Sequence, residues 1–279
     1  MNLGGLWMTI TMNRNELMTA IKQVYNSGKY SANGTLKAGN ISDYVTIYAP
    51  EVGEEAPVYF INANNFTFVR AVVNTNVEKP VKPTVLNIPS LRKYLGRWKC
   101  DEVRMEFGDS FNMWGSGSVT LPLILEHPFQ NSLTTFNSNL RGVRYQEPSL
   151  FEDNPLGHQS GITVSDRVAF DTCLILDGDT LQENLKQCEL VNTGIYTMDW
   201  DGETTLLLSS SNNTERYNVG METRDLFDNN NPATIQITMP LGAFLNTRDK
   251  CNLFIKDEFP ILIVTETNAL IYRAPYRPN

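Results

Sequence analysis

The stretch ELMTAIKQVYNSG at residues 16–28 returns in altered form as TLQENLKQCELVNTG at residues 180–194. Both copies carry a leucine, then a branched aliphatic residue followed by Lys-Gln, and both continue to Asn-Ser-Gly or Asn-Thr-Gly. At about 100° per residue, each copy forms a helix with one apolar stripe and a lysine on its flank. The stripes consist of Leu17, Ile21 and Val24 in the first copy and of Leu181, Leu185 and Cys188 in the second.

A second pattern also occurs twice along the chain. IPSLRKYLGRWKC at residues 88–100 and MPLGAFLNTRDKC at residues 239–251 both read Pro-x7-Arg-x-Lys-Cys. Two shared patterns in the same order indicate a duplicated unit of ordinary domain size. The sequence therefore predicts one domain over residues 1–129, a second over residues 162–279, and between them a connector over 130–161 that is rich in Asn, Ser, Gly and Pro.

Most of each predicted domain consists of β-strands. Stretches such as APVYFINANNFTFVRAVV, DEVRMEFG and CNLFIKDEFPILIVTET are rich in β-branched and aromatic residues and are separated by turn residues. Asp201-Gly202 lies between two such runs, which is a strong signal for a two-residue hairpin. The predicted fold class is therefore α+β, with many antiparallel strands and two short helices in each domain.

The charge of the chain is acidic in total but unevenly spread. The formal net charge is −8, with 23 Lys and Arg against 31 Asp and Glu. Such a balance disfavours tight bulk binding to nucleic acid, but it leaves room for a local basic surface. We interpret the helices as carrying that surface, because Lys22, Lys186, Lys93 and Arg97 fall on flanks or faces away from the apolar stripes. Solvated lysines on amphipathic helices are the alternative interpretation.

Catalytic and cofactor motifs are missing from the sequence. The two histidines, His127 and His158, lie in or beside the predicted connector, so a histidine triad or an HExxH zinc site is absent. DWDGE at residues 199–203 resembles part of a calcium loop but lacks a ligand that an EF-hand requires. The four cysteines form no CxxC pair, and no run of about 18 apolar residues occurs. We therefore expect no enzyme, no metal, no cofactor and no membrane partner.

The order of these features resembles that of a DNA polymerase sliding clamp, with the best match to the proliferating-cell nuclear antigen type of eukaryotes, archaea and their viruses. KDEFPILIVTETNALIYRAPY, near the end of the chain, resembles the closing block of that family. VLNIPSLRKYLGRWKCDEVRMEF resembles its second helix and the strand that follows. The resemblance extends from about Thr9 to Pro275 and rests on order and extent rather than on one diagnostic motif.

This resemblance implies a clamp fold in which sheets form the outside and helices line a central hole. Chains with two domains close head to tail as a ring of three, and duplex DNA passes through the hole without sequence-specific contacts. The implied DNA-binding residues lie on the four expected helices, and Arg92 is a weaker candidate among them. They are Lys22, Lys29, Arg92, Lys93, Arg97, Lys99, Lys186, Arg248 and Lys250.

The resemblance also implies a pocket under the connector into which partner proteins insert apolar side chains of short docking motifs. Its residues are Ile61, Asn65, Phe68, Pro260, Tyr272, Ala274 and Pro275, and ordinary core packing is the alternative for Ile61 and Phe68. The seam between subunits pairs an edge strand within residues 117–125 with one within residues 214–223. The seam residues are Val119, Leu121, Leu123, Tyr217 and Val219.

The function that the resemblance implies is DNA polymerase processivity. Its partners are double-stranded DNA, a DNA polymerase, other replication and repair proteins with docking motifs, a clamp loader and two further copies of the chain. The implied location is the cytoplasm or nucleoid, the nucleus in a eukaryote, or the interior of the host cell for a virus. A structural protein of a virion or tail and a monomeric processivity factor that does not encircle DNA remain as alternatives.

Overall fold

The computed structural model describes residues 8–25, 43–63, 67–124, 163–165, 168–191, 193–238, 241, 245, 250–265, 270–273 and 276. Contacts divide the chain into two compact units, and the main boundary between them falls after Phe129. The predicted connector, residues 130–161, lies outside the described residues.

The first unit begins with a strand that leads directly into a helix, and a second helix follows after four more strands. Its elements are β1 (Met8–Asn13), α1 (Arg14–Val24), β2 (Tyr44–Ala49), β3 (Gly53–Ala63), β4 (Thr67–Val77), β5 (Val81–Asn87), α2 (Ile88–Leu95), β6 (Glu102–Phe107), β7 (Phe111–Trp114) and β8 (Ser118–Leu121).

The second unit opens with two short strands that pair with each other and then repeats the strand–helix order. Its elements are β9 (Thr163–Ser165), β10 (Val168–Ala169), β11 (Thr172–Asp177), α3 (Gly178–Leu190), β12 (Ile195–Trp200), β13 (Thr205–Ser211), β14 (Arg216–Glu222), β15 (Ala233–Thr238), β16 (Lys250–Ile255), β17 (Ile261–Thr265) and β18 (Leu270–Arg273).

The two units have the same strand topology. In the first, β1 pairs with β6, which is followed by β7 and β8, and β2 lies between β3 and β5. In the second, β11, β16, β17 and β18 follow one another in the same way, and β12 lies between β13 and β15. β14 adds to β13 as β4 adds to β3. The predicted α+β fold with two similar units of mainly antiparallel strands is therefore confirmed.

Helices α1 and α3 occupy equivalent positions, as the repeated sequence predicts. β1 ends at Asn13 and β11 ends at Asp177, and each of these residues caps the helix that follows. Their predicted apolar stripes are confirmed, because every member is at most 1% exposed. The buried residues are Leu17, Ile21, Val24, Leu181, Leu185 and Cys188. Each stripe anchors its helix to the core of its own unit.

The second repeated pattern does not mark equivalent positions. Asn13 lies opposite Glu102 in the β1–β6 pair, and Asp177 lies opposite Lys250 in the β11–β16 pair. Because the two capping residues are equivalent, Glu102 and Lys250 are equivalent as well. The shared Pro-x7-Arg-x-Lys-Cys pattern aligned Lys99 with Lys250 instead, and that alignment was wrong.

The hairpin between β12 and β13 is confirmed, although its connection is longer than two residues. Residues Asp201 to Thr204 link the strands, and Gly202 has a φ of +85° that favours glycine. The Asp201 Oδ1 atom accepts hydrogen bonds from the N–H groups of Glu203, Thr204 and Thr205 at 2.8–3.0 Å. These bonds, with that from Thr205 foremost, lower the pKa of Asp201. This carboxylate thus closes a turn.

Candidate nucleic-acid interface

Helix α2 presents its polar side away from the core because its sequence fixes both its start and its inner face. The Asn87 Oδ1 atom accepts hydrogen bonds from the N–H and the hydroxyl of Ser90, at 3.0 and 2.8 Å. This cap satisfies an otherwise unpaired donor of the first turn. Leu91 and Leu95 are 1% and 0% exposed. The residues between them, including Lys93, therefore lie toward or at the surface.

Three exposed cations follow one another along α2 and the segment after it. Lys93, Arg97 and Lys99 are all exposed. The N–H groups of Arg97 and Trp98 both donate to the carbonyl of Tyr94, at 3.0 and 3.1 Å, so helical hydrogen bonding continues past the end of α2. Lys93 and Arg97 thus lie one helical turn apart. No acidic residue occurs between residues 88 and 100, so this cation row (Lys93, Arg97 and Lys99) carries only positive charge.

Helix α1 adds one exposed lysine and holds the end of α2 in place. Lys22 is exposed on α1. The Arg14 Nε atom donates to the carbonyl of Leu95 at 2.8 Å, and the Arg14 N–H donates to the carbonyl of Asp101 at 2.8 Å. The first residue of α1 therefore ties the last turn of α2 to the segment that enters β6.

Arg92 differs from the cation row because an aromatic ring covers it. It is half-buried, and its guanidinium lies 5.0 Å from the centre of the Tyr25 ring. Burial raises the pKa of Tyr25, Asp43 raises it further, and Arg92 opposes the shift. Arg92, a weaker candidate among the predicted DNA-binding residues, therefore packs α2 against the end of α1.

Helix α3 is acidic, contrary to the expected basic face. Lys186 is exposed as predicted, but α3 also carries Asp179, Glu183 and Glu189. With one cation and three anions, the helix has a formal charge of −2. The prediction counted the lysine that repeats from α1 and left out the acids around it. Positive charge is therefore concentrated on α2 among the described helices.

The expected fourth helix supplies no described cation. Arg248, expected on this helix, lies outside the described residues, as does Lys29, which was expected on the first helix. Lys250 does not end a helix as predicted, because it is the first residue of strand β16, where it is exposed. Hydrogen bonds from Thr180 are the main cause of the lowered pKa of Asp177, and Lys250 contributes to the lowering from across the strand pair.

An aromatic row beside the cations was missed in the sequence. The rings of Tyr94 and Trp98 are 6.4 Å apart between centres, one helical turn from each other. The Trp98 indole lies on the turn between β7 and β8, where a Cβ atom placed on Gly115 would come within 2.5 Å of the ring. The spacing of the two aromatic residues and the Gly-Ser-Gly sequence at residues 115–117 were the available signals.

The predicted seam strands, β8 and β14, both lie at the ends of their sheets. β8 stops before Pro122, which is exposed. On β8, Val119 is half-buried, although it lies opposite the fully buried Met113. On β14, Val219 is half-buried opposite the fully buried Leu208. In each edge strand an apolar row on the inner face is therefore only partly covered.

The remaining seam residues are covered to different degrees. Leu121 is 7% exposed and Leu123 is half-buried. Tyr217 is half-buried, and its hydroxyl donates to Asn184 Oδ1 at 3.3 Å, which ties the edge strand to α3. Burial raises the pKa of Tyr217.

The structure describes only part of the predicted partner pocket. Ile61 is 3% exposed and Pro260 is also buried. The backbone of Tyr272 lies opposite Leu262 in the β17–β18 pair. Asn65, Ala274, Pro275 and the side chain of Phe68 lie outside the described residues. A pocket formed by these residues stays a prediction.

The described residues offer no other chemical centre. Among them, no group of three or more His, Cys, Asp or Glu side chains is placed to hold a metal ion. All four cysteines are free thiols, and burial raises the pKa of Cys188 and Cys251 to about 12. In this part of the chain, no helix combines the length and the apolar character that crossing a bilayer requires.

Comparison with solved structures gives consistent matches along almost the whole chain. The Caulobacter crescentus pol III beta structure is 12% identical with a TM-score of 0.64, over 100% of this chain and 68% of that one. A putative DNA polymerase III beta subunit from Eubacterium rectale is 11% identical with a TM-score of 0.67, over 97% and 66%. A DNA polymerase sliding clamp from Pseudomonas aeruginosa is 10% identical with a TM-score of 0.64, over 100% and 69%.

These similarities establish the fold, which is that of DNA sliding clamps, and the chain spans about two thirds of the length of the structures it matches. The neighbours are bacterial beta clamps, whereas the sequence resembles the proliferating-cell nuclear antigen type. No family model matches the sequence, and no curated protein matches it.

Proposed function

We propose that this chain is a sliding clamp, a non-catalytic processivity factor that encircles duplex DNA and tethers a DNA polymerase to it. One observation carries the proposal: on a clamp fold of two topologically equal units, α2 and the turn after it expose the cation row, and residues 88–100 contain no acid. Cations of this kind neutralise phosphates without reading the base sequence.

A closed ring of three copies is supported by the two edge strands. β8 ends one sheet and β14 ends another, so each has an edge with no partner strand among the described residues, and each has a half-covered apolar row. Exposed edges of this kind favour pairing with another strand. Pairing β8 of one copy with β14 of the next is a head-to-tail contact, which generates a ring when its rotation closes.

The strength of DNA contact is expected to be unequal around such a ring. The first unit supplies Lys22 and the cation row, whereas α3 of the second unit has a formal charge of −2. Weak contact is sufficient for a protein that is retained by encirclement, because the topology prevents dissociation. This accounts for a DNA-associated protein with a net charge of −8.

The proposal extends to the partners of the clamp. A polymerase and other replication and repair proteins dock with short motifs at the pocket that includes Pro260 and Tyr272, and a clamp loader opens the ring. We place the protein where the DNA of the cell or of a virus is replicated. The homotrimer and the repair partners follow from the resemblance to the proliferating-cell nuclear antigen type.

Native mass and topological retention test this function together. Light scattering over a range of concentrations should give three times 31.5 kDa, about 94.5 kDa. The protein is first diluted until its copies exchange, and it is then concentrated together with nicked circular plasmid. It should stay on the circular DNA in high salt. Cutting the circle with a restriction enzyme should release it.

Two results contradict the proposal. A mass of one chain at every concentration points to a factor that does not encircle DNA or to a structural protein. Retention that is lost in high salt before the plasmid is cut shows that charge, rather than a closed ring, holds the protein on DNA.

A further inference from the structure

We propose that the end of α2 and the residues directly after it form a binding site for single-stranded DNA, with Trp98, supported by the β7–β8 turn, as its stacking platform. The site goes beyond encirclement of duplex DNA, because it needs unpaired bases and does not require a ring. Its residues are Lys93, Tyr94, Arg97, Trp98 and Lys99, and Gly115 in the β7–β8 turn supports the Trp98 ring.

Two parallel rows of side chains make up the site. Tyr94 and Trp98 are one helical turn apart, and so are Lys93 and Arg97. The Lys93 Nζ atom lies 5.4 Å from the centre of the Tyr94 ring, so the cationic and aromatic rows are neighbours. The two aromatic side chains are half-buried, whereas the cations beside them are exposed.

The glycine turn holds the Trp98 indole in a defined position. A Cβ atom on Gly115 would lie 2.5 Å from Trp98 Cε3 and 2.8 Å from Cys100 Sγ, so only glycine leaves room for the ring there. A Cβ atom on Gly117 would lie 3.6 Å from Trp98 Nε1, which is an ordinary contact. The N–H of Lys99 donates to Ser116 Oγ at 2.8 Å and fixes the chain on the turn.

The chemistry of the site favours single-stranded over double-stranded DNA. Bases in a duplex are stacked on each other, so only phosphates are offered to a protein surface from outside the grooves. An unpaired strand offers both phosphates and free base faces, which match alternating cations and rings. A base stacked on an aromatic side chain contributes enough to change affinity about tenfold, and it does so with little dependence on sequence.

The charges that surround the site are compatible with this ligand. Residues 88–100 contain no acid. On the neighbouring strand β6, the guanidinium of Arg104 forms an ion pair with Glu106 at 2.6 Å and lies 5.5 Å from the Trp114 ring centre. Asp101 and Glu102 are exposed directly after Lys99 and would repel phosphates. The bound DNA strand is therefore expected to leave the protein surface before it reaches Asp101.

A matched pair of glycine variants tests the site without a change in charge. Binding of a labelled oligo(dT) of about twelve nucleotides is followed by fluorescence anisotropy, with a duplex of equal length alongside. Gly115→Ala displaces the Trp98 ring and should weaken oligo(dT) binding about tenfold. Gly117→Ala meets only an ordinary contact and should leave binding unchanged.

Substitution of the ring itself and of the cations completes the test. Trp98→Phe keeps an aromatic face and should bind more tightly than Trp98→Leu, which decides the matter if Gly115→Ala fails to fold. Arg97→Glu with Lys99→Glu should weaken binding and reduce its salt dependence. Lys79→Glu with Lys82→Glu makes the same charge change at exposed lysines elsewhere in the first unit and should have little effect.

Three outcomes would overturn this site. The first is unchanged oligo(dT) binding in both Gly115→Ala and Trp98→Leu. The second is equal loss of duplex and oligo(dT) binding in Gly115→Ala, which indicates a general phosphate contact. The third is competition by a poly-glutamate peptide as strong as that by oligo(dT), which indicates an acidic protein partner. Native mass and retention on circular duplex, measured in the same variants, report separately on the sliding clamp.

Discussion

At the scale of single residues, the two strand-to-helix junctions use different chemistry for the same task. The Asn13 Oδ1 atom accepts hydrogen bonds from the N–H groups of Asn15 and Glu16 at the start of α1. At the start of α3, the Asp177 Oδ1 atom accepts from the N–H and the hydroxyl of Thr180, both at 2.8 Å. An amide is neutral at every pH, whereas a carboxylate loses its charge in acid, so only the second junction depends on pH.

This difference predicts separate pH responses for two capping variants. Hydrogen bonds from Thr180 lower the pKa of Asp177 in the folded chain. Its contribution to stability is therefore present above its unfolded pKa of about 3.9 and is lost as the pH falls through its folded pKa. Asp177→Ala should lower the free energy of unfolding by about 1 kcal/mol at neutral pH and by less near pH 3.

The matched control is Asn13→Ala. It should cost about as much, and the cost should not follow the titration of a carboxyl group. Urea unfolding of both variants at the two pH values measures the difference. An Asp177→Ala deficit that stays the same in acid would show that the carboxylate does not act as described.

At the scale of elements, the apolar stripes of α1 and α3 could be predicted from the sequence. The charge of α3, in contrast, could not be predicted from its similarity to α1. Burial follows the helical period, so Leu17 and Leu181 are placed by spacing alone. Selection for the core does not constrain outward residues such as Glu183, which differ freely between repeats. A lysine that is repeated in both helices therefore does not predict the electrostatic potential around it.

The contrast between α2 and α3 predicts unequal effects of the same substitution. Lys93→Glu and Lys186→Glu each change the charge by the same amount. Lys93 lies in an acid-free segment, whereas Lys186 lies between Glu183 and Glu189, which already repel phosphates. Lys93→Glu should weaken binding of a short duplex several-fold and reduce its salt slope by roughly one, and Lys186→Glu should have a smaller effect.

Anisotropy of a labelled duplex at low and moderate salt measures this contrast. Circular dichroism should show that both variants fold, because both lysines are exposed. Equal losses in the two variants would mean that α3 contributes to DNA contact despite its negative charge.

The register of the second repeat shows where sequence comparison fails at this scale. Cys100 and Cys251 match in the sequence pattern, but Cys251 lies inside β16 opposite Leu176, whereas Cys100 precedes β6. The loop between helix and strand can change length at low cost, so a short motif that spans it does not preserve structural positions. Strand pairing decides equivalence because backbone hydrogen bonds fix each residue of one strand against the next.

At the scale of the whole molecule, the fold could be predicted because the order of helices and strands resembles that of sliding clamps over nearly the whole chain. The contacts between copies of the chain could not be predicted. The resemblance implied edge strands within residues 117–125 and 214–223, and β8 and β14 both lie at sheet ends. In the proposed ring, the surface that covers Val119 or Val219 belongs to another copy of the chain, and such a contact leaves no local pattern in the sequence. The two edges are therefore where assembly is best tested.

A pair of substitutions on β14 separates assembly from folding. Val219 is half-buried on the inner face, and its neighbour Asn218 is exposed on the outer face of the same strand. Val219→Lys places a charge in the proposed seam and should shift the native mass from three copies toward one. Asn218→Lys adds the same charge outside the apolar row and should keep the mass unchanged, so the two light-scattering traces should differ.

If Val219→Lys retains the full mass, the seam lies elsewhere. If both variants lose it, charge on the edge strand rather than the apolar row controls assembly. Unfolding curves should be similar for the two variants, because neither side chain is fully buried.

The acidic character of α3 has a mechanical consequence for a clamp built from this chain. Three copies would present attractive sectors at α2 in alternation with repulsive sectors at α3, so a duplex could not press equally on the whole circumference. As the ring turns, the interaction energy between each phosphate and the protein would alternate between weakly attractive and repulsive. Low friction follows from this alternation: the protein would diffuse quickly along and around the double helix, and its lifetime there would be set by how often the ring opens.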